Sequence, residues 1–277
     1  MAHGFLLFLL FSYIISTNIH ACKQAERSSL LSFASTLSSP PLNWTSIDCC
    51  RWKGITCNKE GSVTHLLLPS KGLKGGLLPS SLANLTHITH LNLSHNSLYG
   101  SLETQFLLSL DRIEILDLSY NLLSGELPLS LPSSNIQTLD LSSNHFHGAI
   151  PSSFFQQASN LTSFNVSNNI FKGGELPFNL GKLSELKFVT LDFNNLKGAL
   201  PPSLMNCTNL EELGLGSNNL EGEISILDFS RLSQLTKLDL RLNNFTDMFP
   251  LIHQPHRCNE DIDELQKSSS THACWFL

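Results

Sequence analysis

The chain of 277 residues predicts an α/β solenoid: a curved stack of short parallel strands, closed at its N-terminal end by a helical, disulfide-stapled cap. Three observations lead there. A motif of spaced leucines ending in asparagine recurs at a nearly fixed period. Four cysteines crowd into the 36 residues from Cys22 to Cys57, directly ahead of the first copy. Between Cys22 and Cys49, residues 23–37 carry helical spacing of their apolar residues.

The repeat unit is Leu139-Asp-Leu-Ser-Ser-Asn-His-Phe-His-Gly-Ala-Ile-Pro151, with apolar residues at Leu139, Leu141, Phe146 and Ile150. Its asparagine recurs as Asn96, Asn121, Asn144, Asn169, Asn194, Asn218 and Asn243, and Lys71 fills that slot in an earlier, weaker copy. From Lys71 onward the steps are 25, 25, 23, 25, 25, 24 and 25 residues. A constant period in this range marks a stack of like units, each burying its apolar face against the next. The pattern Leu-x-x-Leu-x-Leu-x-x-Asn is that of the leucine-rich repeat. About eight repeats occupy 61–250.

In chain order, Phe5 to Ile15 is an apolar run too short to span a bilayer, which takes about 20 residues. With small residues up to Ala21 it reads as a secretory signal over 1–21. Residues 22–60 form the cap. Leu30, Leu31, Phe33, Ala34 and Leu37 share one helical face over 23–37, with Lys23, Glu26 and Arg27 on the others. Ser38-Ser-Pro-Pro41 ends that helix, because proline cannot continue it. A solenoid leaves the apolar edge of its first repeat bare, so a covering element is physically required. The helix with Trp44 and Trp52 supplies it. Cysteine spacing suggests a local Cys50–Cys57 bridge and a Cys22–Cys49 tie, although four cysteines allow three pairings. Such bridges call for an oxidising compartment.

Within each repeat, Leu-x-x-Leu-x-Leu is a strand (Ile136 to Leu141, for instance) whose leucines point inward and whose x positions line a concave face. The asparagine that follows is buried and bonds backbone groups of neighbouring turns. Glycine follows, as at Gly125 and Gly148, and then Leu/Ile-Pro, as at Leu127-Pro128, where a second short extended piece is expected. Leu82, Phe106, Leu131, Phe154, Leu180, Leu204 and Phe229 make an apolar row on the convex side. One extra residue after Lys71 and after Asn169, at Gly75-Gly76 and Gly173-Gly174, reads as a bulge. Asp247 replaces the glycine of the last repeat. The tail 251–277, with Cys258 and Cys274, keeps no repeat register and reads as disordered.

Any function lies in the outward strand positions: Thr89, His90, Asn92, Glu114, Asp117, Tyr120, Gln137, Asp140, Lys187, Phe188, Asp192, Glu211, Glu212, Lys237, Asp239 and Arg241. A rigid curved row of this kind suits a peptide or protein ligand. The recurring Asp-Leu-Ser is periodic and therefore scaffold, so no catalytic carboxylate pair is assigned. His87, His90 and His95, like His145 and His147, read as exposed variable positions without a metal-ligand set. Cys207 reads as a reduced, buried small hydrophobe. Seven Asn-x-Ser/Thr sequons, at Asn43, Asn84, Asn92, Asn160, Asn165, Asn206 and Asn244, are N-glycan acceptors in a secreted chain. Charged residues make up 14%, the net charge is −6, and no basic stripe exists, which argues against nucleic-acid binding. No cofactor is called for.

The Leu-x-Gly-x-Ile/Leu-Pro ending at 123–128, 146–151 and 196–201, with a cap built on Trp44 and Asp48-Cys-Cys-Arg-Trp-Lys-Gly-Ile-Thr-Cys57, resembles plant extracellular leucine-rich repeat receptors. Ser28–Phe33, Leu42–Cys50, Leu161–Asn169 and Leu227–Arg231 are most similar to receptor kinases for tyrosine-sulfated peptides such as phytosulfokine. Those receptors carry many more repeats, an island domain, a membrane helix and a kinase, and this chain looks like a shortened form of their N-terminal ectodomain. The resemblance implies a non-enzymatic recognition module in peptide or defence signalling, with a co-receptor ectodomain as a further partner. It implies localisation in the apoplast or at the cell surface. The alternatives are a secreted inhibitor similar to the polygalacturonase-inhibiting proteins and a truncated product without function. A sulfated tyrosine calls for Arg or Lys, and the predicted face is richer in Asp and Glu.

Overall fold

Each copy of the motif forms a short strand whose central side chain is buried and whose flanking side chains reach solvent. In the computed structural model the strands are Val63–Leu67 (repeat 1), His90–Asn92 (2), Ile115–Asp117 (3), Thr138–Asp140 (4), Ser163–Asn165 (5), Phe188–Thr190 (6), Glu212–Gly214 (7) and Lys237–Asp239 (8). They pair in parallel and in chain order, and Ile55–Cys57 of the cap adds an antiparallel edge, giving a nine-stranded concave sheet. The described residues are 22–246 except 40, 77–81, 83, 103–105, 108, 132 and 174. The expected signal at 1–21, Asp247, and the tail 251–277 with Cys258 and Cys274 lie outside them.

The asparagine ladder is present as predicted. Asn144 is representative: its Oδ1 accepts from Leu123 N–H of the preceding repeat (2.9 Å), and its Nδ2 donates to the carbonyls of Leu118, Leu141 and Ser142 at 3.0–3.1 Å. One side chain thus satisfies backbone groups in two repeats, and an orphaned buried group would cost about 1–3 kcal/mol. Asn121, Asn144, Asn169, Asn194 and Asn218 are buried, whereas Asn96 and Asn243 are half-buried. Lys71 serves in the first copy because only the cap lies before it; there Asn96 Oδ1 receives the Lys71 and Leu73 N–H groups.

The residue before each ladder position has positive φ, from 52° to 57°: Ser70, His95, Tyr120, Ser143, Asn168, Phe193, Ser217 and Leu242. Non-glycine residues adopt this conformation at a cost. Here it turns the chain from the concave strand into a second, lateral strand. That strand lies before the Leu-Pro pair, not on it as the sequence suggested: Leu122–Glu126 precedes Leu127-Pro128, and proline, lacking N–H, ends the ladder.

Five lateral strands and the cap strand Leu37–Ser39 form a six-stranded sheet running to Ile170–Phe171, and three more lateral strands form a sheet from Lys197–Gly198 onward. A single bridge, Lys172–Asn195, joins them beside the Gly173-Gly174 insertion. Past it the register recovers: Glu175 lies against Gly198 as Glu126 lies against Gly148. The first insertion behaves differently, since pairing of Lys74–Gly76 with repeat 2 runs without a shift. Gly75, at φ 152°, instead admits the cap strand Leu37–Ser39; a Cβ there would lie 2.5 Å from the Thr36 carbonyl oxygen.

The convex row from Leu82 to Phe229 is buried as expected. In the cap, helix Gln24–Thr36 buries Leu30 and Phe33, and disulfides join Cys22 to Cys49 and Cys50 to Cys57. Trp44 and Trp52 stack at 4.9 Å, with Arg27 5.7 Å from the Trp52 ring centroid. Glu26 corrects the sequence reading: it is buried, and its carboxylate accepts from Val63 N–H at 2.9 Å, satisfying the first repeat's edge. Burial raises its pKa, against the lowering effect of that bond.

Candidate functional site

All the predicted outward residues reach solvent at least partly, and they fall into two chemically distinct stretches of the concave face. In repeats 2–5 the third strand position is Asn92, Asp117, Asp140 and Asn165, and the position two residues on is Ser94, Ser119, Ser142 and Ser167. Each Asx Oδ1 accepts from both the backbone N–H and the hydroxyl of its serine, as Asp140 does from Ser142 at 2.9 and 2.6 Å. Across strands Asn92 Nδ2 donates to Asp117 Oδ2 at 2.8 Å, and Asn165 Nδ2 to Asp140 Oδ2 at 3.1 Å. All four are half-buried members of a bonded ladder, although Asn92, Asp117 and Asp140 were predicted as ligand contacts and Asn165 as a glycan acceptor. Burial raises the Asp140 pKa, the serine bonds oppose this, and the charge of Asp117 adds to it.

At the N-terminal end of this stretch His90 stacks on His65 with ring centroids 4.2 Å apart, and each Nδ1 bonds the preceding threonine hydroxyl. Burial, with His90 beside it, lowers the His65 pKa. Sequence reasoning named His90 and missed His65, although the two stand one period apart. His95 stacks on Tyr120 at 4.2 Å on the flank.

In repeats 6–8 the same two positions read Thr190/Asp192, Gly214/Gly216 and Asp239/Arg241. The serine partners are gone. Asp192 Oδ1 accepts from Gly216 N–H in the next repeat at 2.6 Å, and Asp239 pairs with Arg241 at 2.6 Å. Lys187 pairs with Glu211 at 2.9 Å and Lys237 with Glu212 at 3.3 Å. Exposed pairs of this kind contribute little stability. Burial raises the Asp192 pKa, with Asp239 adding to it. Burial would raise Asp239 too, but its Arg241 bonds hold it below the ordinary value. A hollow of about 230 Å³ is lined by Thr190, Asp192, Phe193, Glu212, Gly214, Lys237 and Asp239.

Residues 23–58 match the leucine rich repeat N-terminal domain, and 112–134 and 135–156 match the leucine rich repeat. This chain is a leucine-rich repeat protein. Receptor-like protein 36 of Arabidopsis thaliana is 36% identical over 230 residues, which cover 83% of this chain and 31% of the relative. Phytosulfokine receptor 1 of the same plant is 35% identical over 210 residues, covering 73% and 18%. The ectodomain of the Arabidopsis receptor kinase HAESA, solved with an extended IDA peptide hormone, aligns with a TM-score of 0.63 at 29% identity, covering 81% of this chain and 42% of that one. A plant ice-binding protein aligns with a TM-score of 0.71 at 26% identity, covering 82% and 73%. The chain spans less than a third of the length of the curated relatives it matches.

The sequons of this leucine-rich repeat array sort by environment. Asn43, Asn84, Asn160, Asn206 and Asn244 are exposed, Asn84 Nδ2 also donating to Ser29 Oγ of the cap at 2.9 Å, whereas Asn92 and Asn165 commit their amide nitrogens to the Asx ladder. Cys207 is buried and unbridged; its thiol donates to the Leu180 carbonyl at 3.2 Å, and burial pushes its pKa up to about 11. Among the described residues no helix is long and apolar enough to cross a membrane.

Proposed function

We propose that this leucine-rich repeat chain is an extracellular recognition module that binds a peptide or protein ligand on its concave face. The observation that carries the reading is the row of outward side chains held in register on a continuous parallel sheet. Such a scaffold orders a ligand while spending little entropy of its own. The similarity to the HAESA ectodomain, solved both with its peptide hormone and with the co-receptor SERK1, supports a peptide ligand and a partner ectodomain as second contact. The two cap disulfides support passage through the secretory pathway to the apoplast or cell surface, with N-glycans on the exposed sequons. We read the module as non-enzymatic, because the aspartates of repeats 3 and 4 are tied into the scaffold and offer no free acid–base pair.

The test is retention of peptides. Chain secreted from plant cells is immobilised, exposed to an apoplastic peptide fraction, and the eluted peptides are identified by mass spectrometry beside a Gln137→Arg, Lys187→Glu double variant. Discrete peptides retained by the native face and lost from the variant are expected. Identical eluates from both, or none from either, would sink the proposal.

A further inference from the structure

The geometry points to a two-histidine site for one divalent transition ion, of the Zn²⁺ and Cu²⁺ class, at His65 and His90 on the concave face. It goes beyond the recognition reading and stands whether or not a peptide binds. The two residues hold the same strand position in repeats 1 and 2 and pair in register, with rings stacked 4.2 Å apart and 18° from parallel. Each Nδ1 lies 2.9 Å from the hydroxyl of the threonine before it. A hydroxyl has one proton, and both of these are already committed. Thr64 Oγ1 donates to the Thr56 carbonyl and Thr89 Oγ1 to the Thr64 carbonyl, each at 3.2 Å. The scaffold sets that direction, not the histidines. Thr162 and Thr236, at the same repeat position but followed by Ser163 and Lys237, donate in the same way to the Gln137 and Glu211 carbonyls. Both imidazoles therefore donate from Nδ1, which leaves the Nε2 of each ring as an unprotonated acceptor.

That is the form in which imidazole binds a metal: neutral, with its other nitrogen fixed by an N–H bond to an oxygen. Burial, and then the neighbouring His90, lower the His65 pKa, which favours the neutral ring. Two bonds of about 2.0–2.1 Å at a tetrahedral angle need nitrogens about 3.4 Å apart, so a small tilt of each stacked ring closes the pair on an ion. The surroundings suit a cation. The outward strand positions of repeats 1–3 carry no lysine or arginine, and the Glu114 carboxylate favours positive charge at His65. Among the described residues no third His, Cys, Asp or Glu completes a three-ligand set with the pair, so water or a donor from outside the chain takes the remaining positions. Imidazole ligands select Zn²⁺ and Cu²⁺ over Mg²⁺ and Ca²⁺, which take oxygen.

The experiment uses the secreted full chain, purified without a histidine tag, stripped with EDTA and labelled with ¹⁵N-histidine. Before metal is added, the ring nitrogen shifts of His65 and His90 should report Nδ1–H and a bare Nε2. Zn²⁺ should then move both Nε2 signals together with one-to-one stoichiometry, and Mg²⁺ should move neither. By calorimetry, His65→Gln and His90→Gln should each weaken Zn²⁺ binding more than about ten-fold. Thr64→Val, which removes the oxygen that holds His65 Nδ1–H, should weaken it about ten-fold, and Thr64→Ser should restore it. Nε2–H tautomers in the stripped chain, no Zn²⁺ shift at the pair, shifts confined to other histidines, or undiminished affinity in either glutamine variant would overturn the site.

Discussion

Repeats 2–5 and repeats 6–8 share backbone, period and ladder, yet treat their outward polar groups in opposite ways. In the first stretch every Asx is bonded by its own serine, and Asn92 and Asn165 each donate to a neighbouring aspartate. In the second, the serines are replaced, Gly214 and Gly216 let the Asp192 and Asp239 carboxylates lie over the strand, and charges pair along the surface. A strand position on the concave face is therefore not a binding position by virtue of pointing outward. What separates scaffold from site is whether the side chain's bonds are already taken inside the array.

The comparison can be broken most forcefully at the ladder beneath both stretches. Asn144→Ala orphans the Leu123 N–H and three carbonyl contacts in a dry interior, and a loss of about 3–5 kcal/mol is expected. Asn243→Ala removes like bonds where water reaches, and about 1 kcal/mol is expected. Denaturant unfolding of both variants measures the difference, and similar losses would show that burial does not set the ladder's worth.

A smaller effect sharpens the electrostatic contrast. Asp140 and Asp192 have raised folded pKa values, so the folded chain holds those protons more tightly than the unfolded chain. Wild-type stability relative to Asp140→Asn or Asp192→Asn should rise as pH falls from neutral through the raised folded value, then level off below the unfolded value. Asp239 is depressed, and the sign reverses: wild type should lose ground to Asp239→Asn as pH falls below the unfolded value and through the folded one. Each change is on the order of 1 kcal/mol or less. Denaturant midpoints over a pH series would read it, and a common sign for all three would contradict the assignment.

Glycan occupancy should scarcely alter stability but maps the same division. Glycopeptide mass spectrometry of secreted chain should find sugar at Asn43, Asn84, Asn160, Asn206 and Asn244 and bare asparagine at Asn92 and Asn165. Occupied Asn92 or Asn165 would mean that the Asx ladder is dispensable.

The array was legible because its signals are periodic: inward leucines and the asparagine repeat often enough that no single deviation hides them. The cap cysteines were legible from crowding alone. Glu26 was not, because its partner is a backbone N–H 37 residues away and a charged residue on a short helix ordinarily faces water. The positive-φ turn was hidden by residue type, since Tyr120, Phe193 and Leu242 are poor formers of that conformation and only the stack enforces it. The Asx–serine pairing was half visible. Asp-Leu-Ser was recognised as scaffold by its recurrence, while Asp117 and Asp140 were still counted as ligand contacts by their outward parity. The hollow needed three repeats in register, because Asp192, Gly214 and Asp239 approach one another only across strands.

One earlier detail acquires a mechanical meaning. The solenoid is a laminate of two hydrogen-bonded plies over a shared core, and beside Gly173 the lateral ply narrows to the single Lys172–Asn195 bridge. A bending load there passes through the concave ply and the packed leucines, because the lateral ply contributes only that bridge. It falls between Asn165, the last rung of the Asx ladder, and Thr190, the first wall of the hollow. A bend at that seam would change the angle between the serine-bonded and the ion-paired stretch while leaving the ladder within each intact.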